Sequence, residues 1–206
     1  MTDTQSIAVE KIIVELESLS KPTDLASVFA QPGPIELEVG VGKGGFLLEQ
    51  SKGRPDVNFF GIEWANEFFR YAADRYARWG RTNVRLMRTD AQAFFEAWLS
   101  PACLSAVHVY FPDPWPKKRH HKRRFFRAAT VEAIVRSLLP GGHLYVVTDH
   151  AEYFTVIEPL LRGRPEWDEQ PFPEHFGGAG EVVGTNFERK YVKEGRPFFK
   201  LAFERK

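Results

Sequence analysis

The chain has 206 residues, 43% hydrophobic and 27% charged, with 28 Lys and Arg against 27 Asp and Glu. Those proportions belong to a globular domain with room for a real core, and they exclude a low-complexity or uniformly polycationic chain. At a formal net charge of +1, any surface for a polyanion has to be a local asymmetry that steers its partner onto one face.

Cys103 is the single cysteine, so no intrachain disulfide can form and a reducing cytoplasm is the expected compartment. No apolar run approaches the roughly 20 residues of a membrane span. The opening Met1-Thr-Asp-Thr-Gln-Ser lacks a basic stretch followed by an apolar one, so no signal peptide is expected.

Residues 1–34 read as an N-terminal extension and 35–206 as the domain proper. In the extension, Ile12, Ile13, Leu16 and Leu19 fit a helical face, while Lys11 to Leu16 fits a strand as well. Asp24 is placed to cap a short turn carrying Leu25, Val28 and Phe29 inward. From Ile35 the pattern alternates. Ile35 to Val39, Asn58 to Ile62, Val84 to Met87, Ser105 to Phe111 and His143 to Thr148 read as short buried strands. Helices are expected from Phe46, over Asn66 to Trp79, after Asp90 through Trp98, over Phe125 to Leu139 and over Tyr153 to Leu161. In the second, Phe68, Phe69, Ala72, Tyr76 and Trp79 share one side. Pro140-Gly141-Gly142 stops the fourth. This alternation predicts an α/β fold, a parallel sheet with helices on both faces. Trp167 to His175 and Phe198 to Phe203 read as a closing antiparallel pair, joined by a polar, Gly-rich loop.

Open α/β sheets bind ligands at the carboxyl ends of their strands. Gly40, Gly42 and Gly44 follow the first strand directly, where glycine lets the backbone turn sharply and approach a ligand. Gly40, Gly42 and Gly45 also fit the dinucleotide pattern, so a nicotinamide cofactor has to be weighed. Glu38, just before the first glycine, is poorly placed for a pyrophosphate and well placed for a cationic ligand. Asp90, after the third strand, can accept from an adenine amino group or cap a helix. Glu63 ends the second strand and can hold both ribose hydroxyls of either cofactor. Three acids at three strand ends fit S-adenosylmethionine, with its ammonium and sulfonium, better than a dinucleotide.

Phe111 to Arg124 is the densest stretch. Asp113 stands among Pro112, Pro114 and Pro116, and six cations follow: Lys117, Lys118, Arg119, Lys122, Arg123 and Arg124. Asp113-Pro114 can simply start a turn, but its place after the fourth strand favours chemistry. Cations interleaved with Tyr110, Phe111 and Trp115 suit phosphates and an unstacked base. His120 and His121 suit hydrogen-bond donation to phosphate; no second His or Cys pair stands at metal-ligand spacing, so no metal is expected.

Phe111 to Arg124 resembles the signature of the bacterial tRNA (guanine-N(7)-)-methyltransferases. Leu37 to Gly42, Gly61-Ile62-Glu63, Thr89-Asp90-Ala91, Thr148-Asp149 and Thr185 to Lys190 are similar to further motifs of that family. The resemblance implies a Rossmann-like class I fold, with a mostly parallel seven-stranded sheet and an antiparallel C-terminal strand. It implies an S-adenosylmethionine-dependent enzyme that methylates the variable-loop guanosine of tRNA, position 46. The sequence itself shows no sign of an obligate protein partner, and a monomer or homodimer is expected. The resemblance assigns Glu38, Gly40, Gly42, Glu63 and Asp90 to the cofactor, and Asp113 to both cofactor and catalysis. Lys117, Asp149, Thr185, Asn186, Phe187 and Glu188 would meet the substrate. Arg119, His120, His121, Lys122, Arg123 and Arg124 would engage RNA.

Overall fold

A computed structural model describes residues 6–174 and 181–206. Seven strands form one sheet: β1 (Ile35–Val39), β2 (Asn58–Ile62), β3 (Val84–Met87), β4 (Leu104–Tyr110), β5 (Leu138–Thr148), β6 (Trp167–Gln170) and β7 (Phe199–Arg205). Their order is β3-β2-β1-β4-β5-β7-β6. The first five are parallel, and β7 runs antiparallel between β5 and β6. The chain therefore winds outward from β1 to β3, crosses back, and continues from β4. The resulting switch point lies between β1 and β4, where Glu38 pairs with His108 in register. A crevice at the carboxyl edge is the geometric consequence of that reversal.

Both faces are covered, so β1, β2 and β4 are buried almost throughout, including Glu36 and Glu38 of β1 and His108 of β4. On one face, Phe60 of β2 stacks on Phe94 of α3 (Ala91–Ala97) with ring centres 6.0 Å apart. The same layer takes Ile134 of α4 (Ala128–Ser137) and Ile157 of α5 (Ala151–Leu161). On the other face lie Phe46 and Leu47 of α1 (Gly45–Gly53) and Ala72 and Tyr76 of α2 (Asn66–Arg78). Each fully buried Phe contributes roughly 1.5–3 kcal/mol relative to an exposed one.

Several expectations shift. The extension packs onto the domain: Ile12 and Leu25 are fully buried within its two cores. Its backbone forms short 3₁₀ turns (Val9–Lys11, Leu16–Ser18, Leu25–Val28), and Ile13 bridges Leu86 of β3. The bonds from Val14 N to Leu86 O and from Leu86 N to Ile12 O explain why 11–16 also reads as a strand. Asp24 caps as expected, accepting from Ala26 N at 2.9 Å. Trp79 ends just past α2 and is 51% exposed, because Ala73 and Ala77 complete the buried stripe in its place. Helix α4 ends at Ser137, and Leu138 through Gly142 already belongs to β5. Strand β6 stops at Gln170, and His175, the expected strand end, lies outside the described residues.

The loop expected before β7 contains a helix, α6 (Asn186–Lys193). Its signal was present: Thr185 and Glu188 stand at capping-box spacing, and Thr185 Oγ1 accepts from Glu188 N at 3.0 Å. Among the described residues, no helix is long and apolar enough to cross a membrane.

Candidate active site

The turn after β1 is built from left-handed residues. Gly40 has φ +76° and Gly42 φ +52°, conformations in which a side chain is strained. Gly40 has open space where a Cβ would stand, so its backbone is bare towards the crevice. At Gly42 a Cβ would press the Phe187 ring at 3.3 Å. Glu63 holds this turn in place: its Oε2 accepts from Gly42 N at 2.9 Å and its Oε1 from Ala65 N at 2.8 Å. So the acid expected to hold a ribose also fastens the loop. Each of its oxygens keeps a further lone pair for a hydroxyl.

Glu38 is the opposite case. It is 2% exposed, and its Oε2 has no hydrogen-bond partner among the described residues. Burial, and then the nearby charge of Glu63, push its carboxyl well above the usual carboxylate range. A buried, unpaired carboxyl is costly unless something cationic arrives. The cavity beside it is lined by Glu38, Gly40, Phe46 and Tyr110 on one side and by Thr185, Asn186 and Phe187 on the other. This orphaned oxygen fits the charged end of S-adenosylmethionine. Asp90, one strand further out than Glu63, is exposed and caps α3 through Oδ1, which accepts from Ala93 N at 3.0 Å. It stands at the same carboxyl edge, as expected, and it also does the capping that was weighed against that role.

The far wall is a short lid. Glu188 is 1% exposed, and its carboxylate accepts from the backbone N of Val182, Val183 (2.8 Å) and Gly184 (2.9 Å). These three bonds hold the loop that presents Thr185, Asn186 and Phe187 to the cavity. Phe187 is 39% exposed. Behind it Tyr191 packs on Phe111 at 5.5 Å, and Phe111 on Phe198 at 5.3 Å, so the lid rests on the root of the Pro-rich turn. Asp149, just past β5, is bound by Arg196 Nη1 at 2.6 Å, and the Arg196 guanidinium lies 4.2 Å from the Tyr191 ring centre. Tyr191 and Arg196 carry no signal as residue types, both being ordinary surface residues.

Beyond β4 the turn is strained where it matters. Phe111 (φ +51°) and Trp115 (φ +43°) are non-glycine residues in the left-handed region, flanking Asp113. Such conformations cost about 1–3 kcal/mol each and persist where the surroundings enforce them. Phe111 N donates to Val147 O at 2.7 Å. Burial alone pushes the Asp113 carboxyl upward; no cation counters it.

Arg124 departs from its expected place on RNA. It is 4% exposed, its Nε donates to Pro114 O at 2.7 Å, and its Nη2 reaches both oxygens of Glu152 at 2.9 and 3.1 Å. Its guanidinium also lies over the Tyr153 ring. With Nε and Nη2 taken up inside the protein, it braces the turn that holds Asp113. The remaining five are different. Lys117, Lys118, Arg119, Lys122 and Arg123 are exposed, and none forms an ion pair among the described residues. The stretch from Lys118 to Arg123 is a 3₁₀ helix. Arg123 lies 4.9 Å over the Trp115 ring, His120 meets that ring edge-on, and Arg119 Nε donates to His120 Nε2. His121 is half-buried with Nε2 unpartnered. No cluster of three or more His, Cys, Asp or Glu among the described residues could hold a metal ion.

This strand order, with acids at successive carboxyl ends around a glycine turn, defines a class I methyltransferase of the S-adenosylmethionine-dependent type. The solved antibiotic-resistance methyltransferase Kmr shares the fold, with a TM-score of 0.58 at 19% identity over 85% of this chain and 88% of that one. Residues 32–201 match the family model Methyltransf_4, described as "Putative methyltransferase". A tRNA (guanine-N(7)-)-methyltransferase of Alkalilimnicola ehrlichii is 33% identical over 94% of this chain and 81% of its own length. The one from Rhodopirellula baltica is 35% identical over 92% and 73%. The chain belongs to the tRNA (guanine-N(7)-)-methyltransferase family.

Proposed function

We propose that this enzyme methylates N(7) of the variable-loop guanosine, position 46, of tRNA in the cytoplasm, using S-adenosylmethionine. The observation that carries the reading is a juxtaposition. A buried, unpaired acid beside a bare glycine turn adjoins a strained turn that ends in five exposed, unpaired cations. The first suits a cationic methyl donor and the second a polyanion.

S-adenosylmethionine supplies the methyl group as an electrophile. Guanine N(7) presents a lone pair and no proton, so no residue of this chain has to act as a base. The chain's work is then alignment and electrostatics. Glu38, Glu63 and Asp90 would hold the donor, beside the turn at Gly40. Asp113 is braced by Arg124 through Pro114. Its carboxylate stabilises a base that becomes cationic, and it can accept from the guanine Watson–Crick edge. Asp149, tied to Arg196, is the second acid at this edge, whereas Glu188 serves the lid. Lys117 to Arg123 hold phosphates, with Trp115 as a flat surface among them.

The test is nucleoside mass spectrometry of unmodified bulk tRNA after incubation with enzyme and donor. Appearance of 7-methylguanosine is expected. Methylation of a different nucleoside, or none, would overturn the reading.

A further inference from the structure

Arg196 is exposed, yet its backbone and its side chain are both held in place. Helix α6 gives way to Gly195, which has φ +67°. Gly195 N donates to Val192 O and Arg196 N to Tyr191 O, both at 3.0 Å. These two bonds make a Schellman helix end, in which the residue after the glycine folds back onto the last full turn. Here the folded-back group is the Arg196 guanidinium, 4.2 Å from the Tyr191 ring centre. Both of its ends are then occupied. Nη2 lies 2.6 Å from Glu194 Oε2, and Nη1 lies 2.6 Å from Asp149 Oδ2. Tyr191 in turn packs on Phe111 with ring centres 5.5 Å apart. The lid helix, the root of the Pro-rich turn and the end of β5 therefore meet through one guanidinium and one ring.

Asp149 is the group that this arrangement immobilises. Strands β4 and β5 pair in parallel as far as Tyr110 opposite Val147, and Phe111 N donates to Val147 O. Asp149 therefore leaves the sheet beside the turn that carries Asp113. It is half-buried. Its Oδ2 is taken by Arg196, while Oδ1 has no hydrogen-bond partner among the described residues and is not sealed from solvent. A carboxylate can only accept. Left alone it also turns about its last bond, but a planar guanidinium anchored at both ends fixes Oδ2, and Oδ1 becomes a single acceptor with a set direction. Guanine alone among the standard bases carries an amino group on carbon 2. That group and N(7) lie at opposite ends of the base, so holding the one leaves the other free to meet the methyl donor.

We propose that Arg196, set by the Gly195 turn and by Tyr191, is a positioning residue that aims Asp149 Oδ1 at the exocyclic amino group of the target base and so sets the preference for guanine. The inference rests on N(7) of a tRNA guanosine being the methyl acceptor. Arg196 acts through Asp149 and not on the base itself.

The test compares methyl transfer by the full chain to tRNA transcripts carrying guanosine or inosine at the variable-loop position. Inosine keeps N(7) and N(1)–H and lacks only the amino group. The parent should show a kcat/KM about tenfold or more higher on guanosine, the size of one hydrogen bond to a charged group. Arg196→Met leaves an apolar stem over Tyr191 and removes the bond to Asp149. It should bring the ratio of the two transcripts close to one, with the loss falling on guanosine. The ratio is read on whatever fraction of the variant is folded, so a loss of stability alone does not move it. An equal loss on both transcripts, with the ratio kept, would make Arg196 a structural residue only and overturn the proposal. A parent indifferent to the amino group would overturn it too. Should Arg196→Met be inactive on both, Arg196→Lys decides, because a lone ammonium cannot hold the carboxylate as a fork does. A ratio below that of the parent is then expected, and an unchanged ratio contradicts the proposal. A parent that transfers no methyl to the guanosine transcript would instead sink the tRNA reading on which the inference stands.

Discussion

Glu38 and Arg123 both belong to segments leaving the carboxyl edge of the sheet, yet each meets water in the opposite way. Glu38 is buried, unpaired and pushed towards its neutral form. Arg123 is exposed, with an aromatic ring beside it and no ion pair among the described residues. The donor side of the cleft therefore works through a few groups in a low dielectric, where each interaction is strong and unscreened. The RNA side works through many groups in water, where each is weak and salt-sensitive. Asp113 stands between them, half in each regime. Mutations on the two sides should accordingly fail in different ways.

The largest effect belongs to the shared residue. Asp113→Ala should lower kcat by about 100–1000-fold, the usual loss for one preorganised electrostatic group. Asp113→Asn should recover part of it if shape and hydrogen bonding contribute besides charge. Near-normal turnover in both would remove Asp113 from catalysis.

Glu38→Gln comes next and should weaken S-adenosylmethionine binding by about 30-fold or more, as expected when one partner of a buried charge pair is lost. The same change should make the ligand-free protein more stable. The folded carboxyl of Glu38 has a raised pKa, so its contribution to stability is intact at low pH and is lost as pH rises through that value. Removing the charge removes that loss, and about 1 kcal/mol would appear as a melting temperature roughly 2–4 °C higher. Affinity has the opposite slope. The cation needs the ionised form, so binding should weaken as pH falls through the raised pKa, and Glu38→Gln should flatten the profile. A calorimetric pH series with a thermal melt checks both signs.

Adjacent arginines give the sharpest contrast. Arg124→Ala removes a buried brace and should cost about 2 kcal/mol, a drop of roughly 4–8 °C, with the salt dependence of tRNA binding unchanged. Arg123→Ala should leave the melting temperature alone and reduce the slope of log K against log salt by about 0.7–0.9. Identical behaviour of the two would erase the distinction drawn between them.

These two arginines also mark where sequence stops being informative. Most strands were legible as short, largely apolar runs, β1 by its alternating Ile35, Leu37 and Val39, and the glycine turn because side chains are strained in the conformations of Gly40 and Gly42. Acids at strand ends were placed correctly at one edge. Their states were not legible: nothing local distinguishes Glu63, which fastens the turn, from Glu38, which bonds to nothing through Oε2. Within Lys117 to Arg124 the composition reads as uniform charge, and only the contacts with Pro114 and Glu152 separate Arg124 from the rest. Glu36 and His108 read as strand residues, and their hydrogen bond exists only once β1 and β4 are paired. Helix α6 was the avoidable miss, because its capping box lay in plain view.

In the proposed reaction N(7) itself is the acceptor, presented by the RNA side to the donor side. The most direct measurement uses a tRNA transcript with 7-deazaguanosine at the single variable-loop position, scored for both binding and methyl incorporation. Unchanged tRNA affinity with no methyl transferred is the predicted result. Undiminished incorporation into that transcript would contradict it.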